Sequence, residues 1–343
     1  MSRLRGRLLV LCIPFLLVTI SSCQQATPPT NQQTASTNES KEWDSYVNDF
    51  IEANFVAHPE VGVHAGRHEF DGKLTDFSAE GIASEIKRLH AARDRVAGFQ
   101  DSTLNERQRF ERDYVAAIID GDLFWLESAE WPFRCPQFYA DSIDPDVYVS
   151  REYAPLDQRL RAYTAYAKSI PIAVEQIRKN LRTPMPRSFV KIGHTTFGGL
   201  ISFYQKDVPG IFASVKDEQL QKDFQQANDG AIKAMQDIDA WFTTLEASAT
   251  TNFQLGPDKF SEMLKATERV DVPLDKLAAA GRQDLQRNLD ALKTACASYA
   301  PGKSTSECVA QAQAHKPEGG AVFILRFPIA AETTAQAVGA AKA

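Results

Sequence analysis

The chain has 343 residues, 43% hydrophobic and 24% charged, the balance of a globular protein long enough to bury a sizeable core. Its formal net charge is −6; without the leader, whose Arg3, Arg5 and Arg7 are three of the 38 basic residues, 35 remain against 44 acidic ones, a net −9. Such a surface repels phosphate backbones, and no basic run follows the leader, so nucleic-acid binding is discounted.

Residues 1–22 read as a secretion signal: three arginines, then an apolar run of 13 residues from Leu8 to Ile20, too short to span a bilayer comfortably. Ile20-Ser21-Ser22-Cys23 resembles a lipobox, in which small residues admit the peptidase and the thiol accepts the lipid. Cys23 is the expected lipidation site and first mature residue, and the membrane, through that anchor, is the expected partner. Gln24 and Gln25, in place of Asp, direct such a protein to the outer membrane, facing the periplasm. Residues 24–40, polar and with two prolines, then read as a flexible tether, giving a 23–40 linker segment.

Helical periodicity begins at Lys41, with Trp43, Val47, Phe50 and Ile51 on one face. The stretch 59–78, PEVGVHAGRHEFDGKLTDFS, interrupts it and reads as a loop, because Gly62, Gly66 and Gly72 each cost a helix about 1 kcal/mol. His64 and His68 are four apart, with Asp71 close by, so these three are the candidate metal ligands, joined by His194 if the fold brings it near. A zincin helix needs His-Glu-x-x-His, and Gly72 stands where the second His should be. The plainer reading is a loop whose His and Asp side chains bond to backbone groups.

Ser78 is a plausible N-cap for a helix carrying Ile82, Ile86, Leu89 and Val96, and Thr103-x-x-Glu106 a capping box for one carrying Phe110, Tyr114, Ala117 and Ile118. Residues 131–153 are irregular and aromatic-rich, packing beneath a long connection or lining a peptide groove. A helix from Leu156 is kinked or ended by Pro171. The glycines around His194 mark either close helix packing or an approach to substrate. The clearest helix spans 216–246, started by Ser214-x-x-Asp217. Its seam of Leu220, Phe224, Ala227, Ala231, Ala234, Ile238, Trp241 and Leu245 calls for an antiparallel neighbour. Pro257 opens another helix, and Asp271-Val-Pro273 a last one with Leu277, Leu285, Leu289, Leu292 and Cys296 on one face. Strand patterning is scarce, so the fold class is all-α, an elongated helical domain with long antiparallel helices.

Cys12 leaves with the signal and Cys23 takes lipid, which leaves Cys135, Cys296 and Cys308. Cys296 and Cys308 flank a short loop turned back by Pro301-Gly302 and are the expected disulfide; Cys135 is the odd thiol. There is no Gly-x-Ser-x-Gly elbow, phosphate loop or CxxC pair, and no spacing selects a catalytic triad.

The segment NFVAHPEVGVHAGRHEFDGKLTDFS after an amphipathic helix, and FQLGPDKFSEMLKATERVDVPLDKLAAAG later on, resemble the DUF885 family over about 41–320. The resemblance implies a large, mostly helical, often lipid-anchored bacterial protein, similar to zinc metallopeptidases. It also implies a C-terminal His-Glu-x-x-x-x-His-His-type motif, with zinc expected for the full-length family. No motif in this chain matches it, so no cofactor, ligand or catalytic residue is carried over. The chain then corresponds to the N-terminal part of a larger fold, and residues 321–343, small, apolar and nearly uncharged, read as a truncated or frame-shifted tail. Three functions stay open: a metallopeptidase-like lipoprotein inactive alone; a zinc hydrolase acting on peptides with a site built around His64 and His68; and an envelope lipoprotein that binds a peptide or glycan without turnover.

Overall fold

The structure, a computed structural model, describes residues 32–314. The leader, the lipidation site Cys23 and the 321–343 tail lie outside the described residues. Among those described, helices are the only regular elements, apart from an isolated bridge between Pro186 and Thr250, so the all-α class holds. The chain divides into two compact units, Met1–Val270 and Asp271–Ala343, a boundary inside the stretch expected as one helical domain.

In the first unit, α1 (Gln32–Ala57) starts within the expected tether, because Pro28 and Pro29 both precede it and nothing after them breaks a helix. After the short α2 (Pro59–His64) come α3 (Ala79–Ala97) and α4 (Glu106–Leu123). Trp43 and Tyr46 point from α1 onto this pair: Trp43 Nε1 donates to Glu111 at 3.1 Å and Tyr46 Oη to the Ala92 carbonyl at 3.0 Å. Leu89, Val96, Val115, Ile119 and Leu123 fill the space between them. Helices α3 and α4 are antiparallel, since Arg93 meets Asp120 while Arg112 reaches back to the Phe99 carbonyl. Ser78 caps α3 through the Gly81 N–H, as its position suggests. The cap of α4 is Asn105 with Gln108, not Thr103 with Glu106, because Asp101–Thr103 winds into its own 3-10 turn. The buried face of α4 is displaced by one residue from the expected one: Val115 and Ile119 are inside, while Phe110, Tyr114 and Ile118 are exposed.

A π turn, Phe124–Ser128, ends α4 and leads to α5 (Trp131–Arg134) and α6 (Asp146–Ser150). The aromatics of this connection mostly pack: Tyr139 and Tyr148 are fully buried. Helix α7 (Leu156–Asn180) continues past Pro171, because Ile170, Val174 and Ile177 keep one buried face on both sides of it. Then α8 (Arg187–Gly193), α9 (Gly199–Ser202) and α10 (Val208–Phe212), linked by two π turns, form a near-continuous run. That run lies antiparallel to α11 (Glu218–Leu245): Gly193 abuts Phe242, Asn228 donates to the Tyr204 carbonyl, and Gln221 to that of Phe212. It is the antiparallel neighbour the seam required. Helix α7 runs parallel to α11, with Arg161 on Asp217 at one end and Arg178 over Trp241 at the other, and its Tyr163 meets Tyr204 and Phe212 of the run. Asp217, not Ser214, caps α11, accepting from the Leu220 N–H. Pro257 does open α12 (Pro257–Glu268), which packs on the end of α4.

The second unit holds α13 (Leu274–Tyr299) and α14 (Thr305–Ala314). A disulfide joins Cys296 to Cys308, with Cα atoms 5.7 Å apart. The face of α13 expected to be apolar and packed is open: Leu277, Leu285, Leu289 and Leu292 are exposed, and Cys296 is its buried residue.

Candidate functional site

The stretch 59–78 is not the plain loop its glycines suggest. Pro59 starts α2, and His68–Phe70 makes a 3-10 turn. Gly62 is needed there, because a Cβ would stand 2.8 Å from the Phe70 ring; Gly66 and Gly72 hold φ of +90° and +77° where the chain reverses. The structure joins two of the three candidate ligands. His68 Nδ1 lies 3.2 Å from Asp71 Oδ1, its ring stacks on Tyr153 at 3.7 Å, and Tyr153 Oη donates to Asp71 Oδ2 at 3.0 Å. His64 is exposed, its carbonyl accepting from Arg151. His194 belongs to the α8–α11 packing, with Nδ1 2.8 Å from Asp239 and Nε2 3.4 Å from Glu246, the latter without hydrogen-bond geometry. The glycines beside it serve close approach: a Cβ on Gly193 would meet the Phe242 ring at 2.5 Å. Among the described residues, no three His, Cys, Asp or Glu side chains are gathered as a metal would need. Cys135 is fully buried, and burial pushes its thiol up to about 11, which leaves it unreactive.

Beside this stretch opens a cleft of about 830 Å³, between the end of α1, the first half of α3, the last turn of α4 and the indoles of Trp125 and Trp131. On its wall, His58 links two carboxylate networks. Its Nδ1 is 3.3 Å from Thr75 Oγ1 and its Nε2 3.0 Å from Glu85 Oε1. The one proton of the Thr75 hydroxyl goes to Glu60, 2.8 Å away, so towards His58 that oxygen can only accept. Arg88 grips Glu85 through Nε at 2.7 Å and Nη2 at 2.6 Å and keeps it ionised. A protonated ring satisfies both contacts, donating from each imidazole nitrogen. Burial alone would lower the His58 pKa, but the hydrogen bond and charge of Glu85 outweigh it and hold the pKa above its ordinary value. Burial would raise Glu85; the hydrogen bonds of Arg88 and His58 overcome that and hold it at about 2. Arg88 Nη1 is buried without a hydrogen-bond partner, its guanidinium lying over the Phe50 ring.

Opposite stands Asp122, in the last turn of α4. It is exposed at the cleft surface, where a ligand can reach it. Desolvation first, and the charge of Glu85 second, push its carboxyl up to about 6. The π turn after α4 adds a residue to the helical circuit, and Trp125 within it lines the same cleft. Trp125 and Trp131 lie against each other, with ring centroids 5.3 Å apart. Phe77 and Phe138 add to the apolar lining.

None of His58, Glu85 or Asp122 belongs to the sequence-predicted set. His58 and Glu85 are 27 positions apart, one at the α1–α2 junction and the other on α3, so no local spacing marks them. One signal was present: Asp122 continues the four-residue stripe Phe110, Tyr114, Ile118, a carboxylate in line with an apolar row.

Residues 59–321 match the family described as "Bacterial protein of unknown function (DUF885)". A solved structure of "a putative lipoprotein of unknown function" from Shewanella oneidensis is similar to this chain, with a TM-score of 0.68 and 16% sequence identity. The similarity covers 79% of this chain and 52% of that one, so the chain spans about half the length of that neighbour. No curated protein matches the chain.

Proposed function

The chain belongs to DUF885, a family of bacterial proteins of unknown function, and from that premise we propose that it is a cell-envelope lipoprotein that holds a short peptide in the cleft beside His58. The lipobox at Cys23, followed by Gln24 and Gln25, supports attachment to the outer membrane on its periplasmic side, and the description of the Shewanella neighbour as "a putative lipoprotein" supports a lipid anchor. The Cys296–Cys308 disulfide fits an oxidising compartment.

The observation that carries the reading is the cleft itself. Its 830 Å³ lies in the range that encloses a ligand, and its walls are aromatic with a few fixed polar groups, as binding sites are. The reading is capture, not hydrolysis. Both nitrogens of His58 are occupied, one by Thr75 and one by Glu85, so it offers no free general base. Glu85 is tied by Arg88 and His58 and is no better as a nucleophile. The zinc-peptidase chemistry implied by the family resemblance is proposed for neither the cleft nor His64, His68 and Asp71.

Trp125 and Trp131 make the test direct. Titrating the full chain with N-acetyl dipeptide amides should quench or shift tryptophan emission saturably, at Kd values of about 10 μM to 1 mM, that is about −7 to −4 kcal/mol. Trp125→Ala should weaken binding about tenfold or more. Emission that stays linear in every peptide would remove the reading.

A further inference from the structure

We infer that the cleft selects ligands bearing a cationic group, seated against Asp122 and the neighbouring indole of Trp125. The inference rests on the cleft being a ligand site and adds which ligands it takes. Four carboxylates line the cleft, Asp76, Glu80, Glu85 and Asp122, against Arg88 and His58. Most of these charges are already committed. Glu85 is shared by Arg88 and His58. Asp76 accepts from the Ser78 N–H and from Gln176, each at 2.9 Å. Among the described residues, no hydrogen bond or ion pair reaches Asp122.

An unpaired carboxylate on the wall of an aromatic cleft gains most from a ligand that brings its own positive charge. A neutral sugar or peptide would cover Asp122 and leave it unpaired. An anion would meet Asp122 and Glu80, and the one guanidinium on the wall is neutralised by Glu85. The indoles point the same way, since the face of Trp is the aromatic surface that best attracts a cation.

Lowered solvation and the nearby Glu85 also set the pH at which the site works, because Asp122 must be ionised to hold a cation. The groups facing it are Glu85 and Arg88 from α3 and His58 from the α1–α2 junction; Glu85 raises its pKa, while His58 and Arg88 lower it. Helix α12, packed on the same end of α4, directs Arg269 to Asp120 and Lys259 to the Ser128 carbonyl.

The experiment titrates the full chain with N-acetyl-lysyl-phenylalanine amide and its norleucyl and glutamyl counterparts, following tryptophan emission at pH 7.5. The lysyl probe should bind about tenfold tighter than the norleucyl one, the order of one charge-assisted contact, with the glutamyl probe weakest. Asp122→Asn should bring the lysyl and norleucyl affinities within about twofold of each other. A far-UV melt checks that this variant is folded. In the unmutated chain, lowering the pH to 5 should cost the lysyl probe about tenfold, as a carboxyl titrating near 6 requires, and spare the norleucyl probe. Equal lysyl and norleucyl affinities, or a lysine preference that survives both Asp122→Asn and pH 5, would overturn the inference while the cleft remains a binding site. Saturation by none of the three probes, neutral one included, would take the cleft reading down with it.

Discussion

Glu85 accepts hydrogen bonds from both His58 and Arg88 within 3.0 Å, so one carboxylate is shared by two cationic side chains on the cleft wall. Glu85→Gln keeps the shape and leaves both cations facing an amide. Breaking a buried pair this way costs about 3–5 kcal/mol; the partial exposure of His58 and Arg88 trims the expectation to about 2–3 kcal/mol. The two titrations bracket where the triad matters. Glu85 is held at about 2, against 4.5 when free, so its contribution is complete above pH 4.5 and is lost as pH falls through about 2. His58 is held above 6.5, so its contribution is complete below pH 6.5 and is lost as pH rises through its folded value. Urea denaturation of both proteins should therefore show the widest gap between about pH 4.5 and 6.5 and a narrower one at pH 8.5. A gap that is flat across this range would mean that the triad does not titrate as a unit. At this scale the sequence was least informative. His64, His68 and Asp71 drew notice because they are neighbours in the chain, and two of them do meet, yet around Tyr153 and not in a cleft. His58 carries no local mark, since its partners arrive only when α3 docks beside α1.

Elements were more legible, because periodicity is a property of a single segment. The seam of α11 reads correctly from Leu220 to Ile238 and at Leu245, but near its end Phe242 is the fully buried ring and the expected Trp241 only half-buried; the glycines beside His194 were already open to a close-packing reading. What periodicity lacks is direction and register. It does not reveal that α7 runs parallel to α11 and the 187–212 run antiparallel. On α4 it favoured Phe110, Tyr114 and Ile118 over the row that is buried, Val115 and Ile119, because both rows are apolar and only packing chooses between them. Pro171 does not end α7, one of the two outcomes expected of it, for a related reason: its local cost is real, but the buried face on either side outweighs it. The close approach of α8 to α11 has a paired test. Both Gly193 and Gly199 have helical backbone angles, so alanine fits either backbone. A Cβ at 193 would strike the fully buried Phe242 ring at 2.5 Å, whereas one at 199 meets nothing within 4 Å. Gly193→Ala should destabilise by about 1–3 kcal/mol through overpacking. Gly199→Ala should be neutral or stabilise by up to about 1 kcal/mol through helix propensity. Equal effects in thermal melts would mean that the helices do not meet at Gly193.

At the scale of the molecule, all-α was readable from the scarcity of strand patterning, but the division at Val270 was not, because no Gly- or Pro-rich linker marks it. The two units also differ in what holds them. The first buries two large clusters, with Trp43, Tyr139, Tyr163 and Phe242 fully enclosed. The second buries Cys296, Ala300 and Cys308, with Val309 packed against them, and leaves the leucines of α13 exposed. So small a cluster cannot by itself offset the entropy of ordering α14, which places most of the burden on the covalent link. The bridged residues are 12 apart, and the loop-closure model gives about 3 kcal/mol for a loop of that size. Replacing both cysteines by serine should therefore release Thr305–Ala314 from α13. In hydrogen exchange, amides of α14 should lose protection by about two orders of magnitude, the equivalent of that free energy, while those of α7 and α11 stay as they are. Unchanged protection of α14 would show that packing around Val309 suffices without the bridge. Loss of protection in α7 and α11 as well would show that the first unit depends on the second for its stability.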